Sequence, residues 1–401
     1  MIEKGIRSPD FAKGLFFSTA RPYFHSMRMI LTLAASAAMT LPALAQMPEG
    51  KVTSEQADFA VETVADGLEH PWALTFLPDG SYLVTERGGT LFHIAKDGAK
   101  TEIRGLPKNI HAKGQGGLLD IALAPDYAQS KRVFFSYAGE KDGKNNTDLA
   151  RATLDLSKHA LSNVETVFSA APKLNGNNHY GGKILFANGY LYLTLGERFD
   201  YLELVQEPGN HLGTVIRLNA DGSIPKDNPF VKDGSAKPKE AYTWGHRNVQ
   251  GIALRPGTKD VWTHEHGPKG GDEINILKAG ANFGWPAITF GVDYSGFPVS
   301  DKTAEDGMEQ PLLQWTPSIA PSGMAFYNGD KFPQWKGDLF VGTLAATHLR
   351  RLEIKGDKVT EQEILLPGSA RIRDVRAGPD GYLYLLTDDT DGALLRLVPT
   401  R

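Results

Sequence analysis

The 401-residue sequence contains no cysteine, and this absence removes several classes of chemistry at once. Without a thiol the chain can form no disulfide, no thiolate metal site and no cysteine nucleophile. The chain also lacks an excess of positive charge, since 43 Lys and Arg side chains stand against 47 Asp and Glu, for a formal net charge of −4. It has no long basic run, so it does not favour nucleic acid or an anionic membrane. The expected partner is a small molecule.

Three common catalytic motifs are missing as well. The sequence has no Gly-x-Ser-x-Gly elbow, no P-loop and no strand-turn-helix Gly-x-Gly-x-x-Gly. Because those motifs position a serine nucleophile, a nucleotide phosphate and a dinucleotide respectively, nothing here indicates a serine hydrolase, a kinase or an NAD-dependent enzyme.

Strongly apolar residues form a single long run, from Met29 to Ala45. This run follows an arginine, is rich in small residues and ends in Ala-Leu-Ala, which is typical of a signal peptide and too short for a spanning helix of about 20 strongly apolar residues. We expect a signal peptide over residues 27–45 with cleavage after Ala45, a true start at Met27 or Met29, and residues 1–26 either untranslated or disordered. The mature chain would then be periplasmic in a Gram-negative source, with no integral membrane segment.

From Pro71 onward, short β-branched and aromatic runs alternate with Gly, Asp, Asn and Pro turns, which predicts an all-β domain. One unit recurs in six copies, each an apolar strand, a turn such as Pro-Asp-Gly or Asn-Gly, and a second strand. The six copies begin at Trp72, Leu118, Lys183, Gly251, Gly323 and Ile372. They predict a single six-bladed β-propeller over residues 46–401, in which a strand at 59–64 completes the last blade. Two three-bladed lobes or a seven-bladed ring are the alternatives.

Several polar segments interrupt the strand pattern. His179 stands in Asn-Gly-Asn-Asn-His-Tyr-Gly-Gly, where glycines let the backbone approach a ligand, and both a general base and a structural histidine fit that setting. Arg371 and Arg373 lie two apart on a predicted strand, so they face one side and suit an anion with several carboxylates; a solvated strand edge is the alternative. Arg247 and Asn248 offer a further guanidinium and amide at another blade.

The segment from His264 to Glu273 is rich in oxygen donors. His264 and His266 alternate along a predicted strand and do not share a helix face, which disfavours zinc. Backbone carbonyls at Gly267 and Pro268, with the nearby carboxylate of Glu273, suit calcium. An acidic surface turn is the alternative.

Characteristic motifs occur in a fixed order along the chain: PWALTFLPDG, GQGGLLDIALAPDY, NNHYGGKI, WGHRNVQG, EHGPKGGDEIN, NFGWP, PSGMAFY and RIRD. Over residues 67–398 the sequence therefore resembles the soluble PQQ-dependent glucose/sorbosone dehydrogenase family, and within it the periplasmic aldose sugar dehydrogenase branch. The resemblance implies a six-bladed propeller that oxidises aldose sugars at C1 to the lactone. Hydride would pass to pyrroloquinoline quinone (PQQ), calcium would be a second cofactor, and electrons would leave to an external acceptor. It implies a monomer or a dimer.

The resemblance also implies roles for individual residues. His179 would be the general base for the anomeric hydroxyl, and Arg247 would stabilise negative charge developing on the quinone. The residues implied to contact PQQ are Gln115, Arg247, Asn248, Tyr294, Leu344, Ala345, Ala346, Arg371, Ile372 and Arg373. The residues implied to hold calcium are Gly267 and Pro268, through their carbonyls at the quinone, and Glu273 with Phe283 at a separate structural ion.

The sequence departs from the family pattern in one segment, and two other functions are alternatives for the same fold. Residues 344–347 stand where family members tend to place a lysine, so one cofactor contact is missing. A calcium-dependent lactonase-type hydrolase also uses a six-bladed ring, although it does not need the arginine pair. A propeller that binds a ligand without catalysis is the third possibility, because a fold does not fix a function.

Overall fold

Each of the six recurrent sequence units opens an antiparallel sheet of four or five strands. The structure is a computed structural model that describes residues 47–232 and 234–400. The signal peptide expected at 27–45, its cleavage site after Ala45 and residues 1–26 lie outside the described residues.

In chain order the strands are β1 (Lys51–Val52), β2 (Phe59–Leu68), β3 (Pro71–Phe76), β4 (Tyr82–Glu86), β5 (Thr90–Ile94), β6 (Lys100–Glu102), β7 (Leu118–Leu123), β8 (Arg132–Lys141), β9 (Lys144–Asp155), β10 (Ala160–Ser169), β11 (Gly181–Ala187), β12 (Tyr190–Leu195), β13 (Val215–Leu218), β14 (Ala241–Thr243), β15 (Val249–Leu254), β16 (Val261–Glu265), β17 (Asp272–Ile276), β18 (Leu313–Trp315), β19 (Pro321–Phe326), β20 (Leu339–Thr343), β21 (Leu349–Lys355), β22 (Lys358–Leu365), β23 (Ile372–Ala377), β24 (Leu383–Thr387) and β25 (Gly392–Pro399). Helical structure in the described ranges is limited to α1 (Tyr127–Ser130) and two 3-10 turns, Leu202–Leu204 and Pro333–Trp335. None of these helices is long and apolar enough to cross a membrane.

Successive groups of four strands form blades 1 to 5, from β3–β6 in blade 1 to β19–β22 in blade 5. Blade 6 has the order β1-β2-β25-β24-β23, so it combines strands from both ends of the described chain. Within it, Phe59 of β2 pairs with Pro399 of β25 in an antiparallel register. The predicted closing strand at 59–64 is confirmed, and it ties the ends of the ring together.

The innermost strands β3, β7, β11, β15, β19 and β23 pack side by side in this order, and β23 packs back against β3. A closed ring of six sheets follows, which confirms the predicted six-bladed β-propeller and rules out a seven-bladed ring.

Hydrophobic side chains fill the space between neighbouring blades. For example, Leu83 and Leu91 of blade 1 pack against Ile121, Val133 and Phe135 of blade 2, and all five are buried. Successive residues of a strand face opposite sides of its sheet, so each blade presents apolar residues to both neighbours. Burial of this surface stabilises the packed blades by about 25 cal/mol per Å2. Because the blades are held together in this way, polar groups can occupy the starts of the innermost strands.

Candidate active site

A cavity of about 250 Å3 lies where the six innermost strands begin. Every blade contributes a lining residue within two positions of that point: Trp72, Leu119, Gly181, Asn248, Ala320 and Arg373. The ring therefore gathers residues that are more than 300 positions apart in the sequence into one site.

Three guanidinium groups line this cavity, those of Arg87, Arg371 and Arg373. Arg371 Nη2 lies 2.8 Å and Arg373 Nη2 3.2 Å from the same oxygen of Asp388, whose other oxygen lies 3.0 Å from His70 Nδ1. Burial raises the pKa of Asp388, but Arg373 and Arg371 outweigh it and hold the pKa well below its usual range. Arg87 has no ion pair with any described residue. Positive charge is therefore in excess, which suits a ligand with several carboxylates.

Only the cavity wall carries an excess of positive charge. Further along the central channel of the ring, the charges balance. There Lys183 Nζ lies 2.8 Å from Asp374, and Arg376 bridges Asp374 at 2.8 Å and Asp120 at 2.7 Å. Asp120 and Asp374 are almost fully buried. Two cations and two carboxylates balance in this network, as buried charges must.

His179 sits beside the cavity with one ring nitrogen occupied and one free. Its Nδ1 donates to Glu197 Oε2 at 2.6 Å, and both side chains are at least 95% buried. Its backbone N–H donates to Gln115 Oε1 at 2.9 Å, so the two residues are neighbours. Because an ionised carboxylate only accepts hydrogen bonds, Nδ1 carries the proton and the lone pair is on Nε2. Nε2 has no hydrogen-bond partner among the described residues.

The electrostatic surroundings keep this imidazole neutral. Burial lowers the pKa of His179 below its ordinary value, Glu197 opposes the shift, and Arg247 and Arg198 add to it. A buried neutral imidazole with a free Nε2 and a carboxylate on Nδ1 is equipped to accept a proton and then to be stabilised as the imidazolium.

Arg198 braces the loop that carries His179. Its Nε donates to the carbonyl of Asn178 at 2.9 Å, Nη1 to that of Asn145 at 2.7 Å, and Nη2 to that of Gly176 at 2.8 Å. The guanidinium is fully buried and lies 3.9 Å from the ring centroid of Tyr180. Each of its three guanidinium nitrogens thus donates to a backbone carbonyl, so Arg198 positions the loop and does not bind a ligand.

Of the predicted pair, Asn248 lines the cavity, whereas Arg247 is not among its lining residues and lines a smaller, separate void. Arg247 Nη1 donates to the carbonyl of Gly267 at 2.9 Å, and its buried Nε has no partner among the described residues. Asn248 lines the cavity, with its Oδ1 accepting from the N–H of Gly181 at 3.1 Å and from Gln250 at 3.2 Å. Asn248 is fixed in orientation, whereas Arg247 retains an unused donor.

Of the predicted calcium ligands, Gly267, Glu273 and Phe283 line one small void of about 10 Å3 together with Arg247 and Glu265, whereas Pro268 does not line it. Burial, followed by the charge of Glu265, raises the pKa of Glu273 to about 8. No cluster of three or more His, Cys, Asp or Glu side chains in the described residues could hold a metal. Any ion here must therefore rely on backbone carbonyls and the two glutamates.

Some residues that the sequence predicted as PQQ contacts do not line the cavity. Ile372 is fully buried in the hydrophobic core between blades, where its side chain cannot touch a ligand. Tyr294 is 55% exposed and lies outside the cavity wall. Ala346 packs against a hydrophobic cluster, although Leu344 and Ala345 line the cavity. Arg371 lies one residue before β23, not on it, and still shares the cavity with Arg373.

Comparison with known proteins agrees with this geometry. A profile of the family described as glucose/sorbosone dehydrogenase matches residues 68–396. The chain is 48% identical over 349 residues to the aldose sugar dehydrogenase YliI of Escherichia coli, covering 84% of this chain and 92% of that protein. It is 27% identical over 453 residues to quinoprotein glucose dehydrogenase B of Acinetobacter calcoaceticus, covering 91% and 93% of the two chains.

Solved structures agree as well. The apo form of the soluble aldose sugar dehydrogenase of Escherichia coli superposes with a TM-score of 0.82 at 46% identity, over 85% of this chain and all of that one. The PQQ-bound form of the aldose sugar dehydrogenase of Streptomyces coelicolor superposes with a TM-score of 0.70 at 31% identity, over 86% of this chain and all of that one. The chain belongs to the glucose/sorbosone dehydrogenase family.

Proposed function

We propose that the protein oxidises aldose sugars at C1 to the lactone, with PQQ as its cofactor. The observation that carries the proposal is the cavity itself, where Arg371 and Arg373 share the single carboxylate of Asp388 and Arg87 has none, beside a neutral His179 that Glu197 holds. The family membership supports it, because a relative of 31% identity has been solved in a PQQ-bound form.

The residues present fit this cofactor. PQQ carries several carboxylates, and Arg371 and Arg373 offer bidentate guanidinium groups to them. Arg87 supplies a further cation, which compensates for the lysine that is absent from residues 344–347. Trp72 and Tyr180 add aromatic surface to the lining, which suits an aromatic cofactor.

When bound, PQQ would supply a quinone that accepts a hydride, and with it one electron pair, from the sugar. His179 Nε2 takes the proton of the anomeric hydroxyl, so that the C1–O bond gains double-bond character while C1 loses its hydrogen. Glu197 stabilises the imidazolium that forms, across its 2.6 Å hydrogen bond. Arg247, with its unpaired Nε, stabilises negative charge that develops beside it. An external acceptor then removes the electrons.

We further propose calcium at two positions. The carbonyls of Gly267 and Pro268 would hold one ion at the cofactor, in competition with the hydrogen bond from Arg247 to Gly267. Glu273, with the carbonyl of Phe283, would hold a second, structural ion. The raised pKa of Glu273, about 8, supports this second site, because a buried acid next to Glu265 gains most from a cation.

The alternatives fit the site less well. A lactonase-type hydrolase places its metal in the central channel, yet the channel carboxylates of Asp120 and Asp374 are already neutralised by Arg376 and Lys183. A propeller that only binds a ligand would not need an imidazole with its Nδ1 held by a buried glutamate and its Nε2 free. We also propose export to the periplasm after cleavage at Ala45, and action as a monomer or dimer.

Reconstitution tests the function directly. Purified apoprotein is incubated with PQQ and Ca2+, and reduction of a dye is followed with glucose and other aldoses. Oxidation that needs both PQQ and sugar is expected; failure with every aldose, or dye reduction without PQQ, would refute the proposal. The His179→Ala variant should bind PQQ normally and lose about 100-fold or more in turnover, since a general base contributes 10²–10⁴-fold.

A further inference from the structure

A second pocket, of about 180 Å3, adjoins the cavity and is formed by loops of blades 1 and 2. Its wall includes Glu69 and His70 before β3, Arg87 and Gly88 after β4, and Ala112 and Gly114 before β7. Arg87 also lines the larger cavity, whereas His179 does not line this pocket. The pocket, called here the Arg87 pocket, therefore meets the cavity at a guanidinium and not at the base.

The backbone of Arg87 is held on both sides while its guanidinium is unpaired. Its N–H donates to the carbonyl of His70 at 3.1 Å, and its carbonyl accepts from the N–H of Leu118 at 3.2 Å. Gly117 permits this approach, because a Cβ at that position would collide with the carbonyl oxygen of Arg87. The guanidinium has no hydrogen bond or ion pair with any described residue. Since a guanidinium carries five N–H donors, Arg87 can serve the cavity and the pocket together.

Backbone donors of the Arg87 pocket are unused as well. The N–H groups of Gly88, Ala112 and Gly114 have no acceptor in the part of the chain that the structure describes. Unpaired N–H groups in a concave loop region bind anions. The opposing charge comes from Glu69, which is exposed, while His70 already pairs with Asp388. The pocket thus offers a guanidinium and three backbone donors to an anion.

The position of this pocket suits the second half of the reaction. Oxidation of an aldose to its lactone releases two electrons and two protons, and an external acceptor must take the electrons. The sugar has to reach His179, so an acceptor that binds beside Arg87 approaches the same cavity without competing for the base. Sugar and acceptor then have separate places on the protein.

We propose that the Arg87 pocket binds the electron acceptor, and that this acceptor is a small redox-active anion. The inference rests on the proposed function. With hexacyanoferrate(III) as the acceptor, one aldose and two hexacyanoferrate(III) ions give one lactone, two hexacyanoferrate(II) ions and two protons, so that atoms, electrons and charge balance. The protons pass to solvent.

Binding is measured by calorimetry with hexacyanocobaltate(III), a trianion of the same shape that the enzyme does not reduce. The protein is loaded with PQQ and Ca2+, so that the cofactor occupies the larger cavity. Arg87→Gln should weaken binding about tenfold or more, because it removes charge-assisted hydrogen bonds. Glu69→Gln should tighten binding about two- to fivefold, because it removes the exposed opposing charge. Glu203→Gln, which removes an exposed carboxylate from the loop after β12 of blade 3, is the matched control and should leave binding unchanged.

Gly88→Phe fills the pocket without a change of charge. A Cβ at Gly88 meets no atom within 4 Å, so the substitution fits the folded chain. In dye-free assays with hexacyanoferrate(III), this variant should raise KM for the acceptor about fivefold or more, while KM for the sugar changes less than about twofold. Arg87→Gln, assayed at saturating PQQ, should raise KM for the acceptor as well.

Hexacyanocobaltate(III) that does not bind the loaded wild type, or that binds Arg87→Gln and Gly88→Phe as tightly as the wild type, would overturn the pocket. An unchanged KM for hexacyanoferrate(III) in both variants would overturn its assignment to the acceptor. A wild type that oxidises no aldose refutes the proposed function instead. Calorimetry of hexacyanocobaltate(III) with the two apoproteins, wild type and Gly88→Phe, then decides the anion site: a binding site lost in the variant supports it, and equal binding refutes it.

Discussion

Replacement of Glu197 by glutamine removes the negative charge that faces His179 while keeping the size of the side chain. The carboxylate accepts a 2.6 Å hydrogen bond from Nδ1, and both groups are at least 95% buried. A hydrogen bond to a charged group contributes about 1.5–3 kcal/mol, and 1.36 kcal/mol corresponds to about tenfold in rate. Loss of the charge therefore predicts a fall in kcat of about 10- to 100-fold. If the new amide donates to Nδ1 and selects the other tautomer, the fall extends toward about 10⁴-fold.

The same substitution changes the pH dependence in a defined direction. Burial lowers the pKa of His179, and Glu197 is the main influence that raises it. Without Glu197 the pKa falls further below its ordinary value. Because the base works in its neutral form, above its pKa, the acid limb of the kcat/KM profile should move to lower pH while the plateau drops.

The assay is dye reduction with glucose across pH, together with a PQQ titration of each apoprotein. Glu197→Asp, which keeps the charge but shortens the side chain, should lie between wild type and Glu197→Gln. Glu140→Gln is the matched control, because Glu140 also pairs with a histidine, His111, at 2.8 Å, and should change kcat by less than about threefold. A Glu197→Gln enzyme that keeps wild-type kcat, or that loses PQQ affinity in parallel with turnover, would refute the role assigned to Glu197.

Three further predictions address the cofactor, the brace and the ion. Arg373→Ala should raise the Kd for PQQ about 10- to 100-fold, because it removes one charge-assisted hydrogen bond to the cofactor. The kcat at saturating PQQ should stay nearly unchanged. An unaltered Kd in a fluorescence titration would contradict this prediction. Arg198→Ala should lower both the melting temperature and kcat, and Arg198→Lys should recover little, because only a guanidinium reaches all three carbonyls. In the presence of a calcium chelator, the free energy of unfolding should decrease as pH rises from about 4.5 toward 8. Folding raises the pKa of Glu273 to about 8, so the folded state is stabilised by the proton on Glu273, and this stabilisation is lost over that pH range. Glu273→Gln should flatten that decline in calorimetry, and an equally steep decline in the variant would exclude Glu273 as its source.

The propeller could be predicted because its inner hairpins are local in sequence. Ala187 and Tyr190 pair across Asn188 and Gly189, whose φ angles of +54° and +84° fit the turn that Asn-Gly favours between twisted strands. Such turns between apolar runs mark each copy independently of the rest. The site residues were predicted less completely than the fold. Ile372 and Tyr294 match the family pattern, but the side chain of Ile372 lies in the core and that of Tyr294 faces solvent.

Glu197 was missed because nothing near it in the sequence marks it as a partner of a histidine 18 positions earlier. The signal lies in the register of one hairpin. Gly181 of β11 pairs with Leu195 of β12, so continuation of that register by two residues on each strand places His179 opposite Glu197. Arg87 carries no comparable signal, because its role follows from the cavity that only the closed ring creates.

A carboxylate near the end of the second strand recurs as a partner in two other blades, although only blade 6 repeats the register that joins His179 to Glu197. In blade 6, Ile372 pairs with Thr387, so Arg371 lies opposite Asp388, and the two form an ion pair of 2.8 Å. In blade 4 the carboxylate of Glu265, at the end of β16, accepts from His246 at 2.7 Å and from the N–H of Arg247 at 2.6 Å, both just before β15. In each of these blades a carboxylate at the end of the second strand holds the residue that precedes the first.

This repetition explains how one architecture supplies different chemistries at a single site. The carboxylate fixes a side chain that would otherwise be mobile at the open end of the ring, and it neutralises part of the charge there. In the proposed function, the residue that precedes the innermost strand then decides the role: a neutral imidazole on Glu197 would act as a base, whereas guanidinium groups sharing Asp388 would keep a net positive charge for an anion. Because strand register sets these pairs in blades 3 and 6, we expect exchange of the preceding residue between these two blades to change the chemistry without altering the fold.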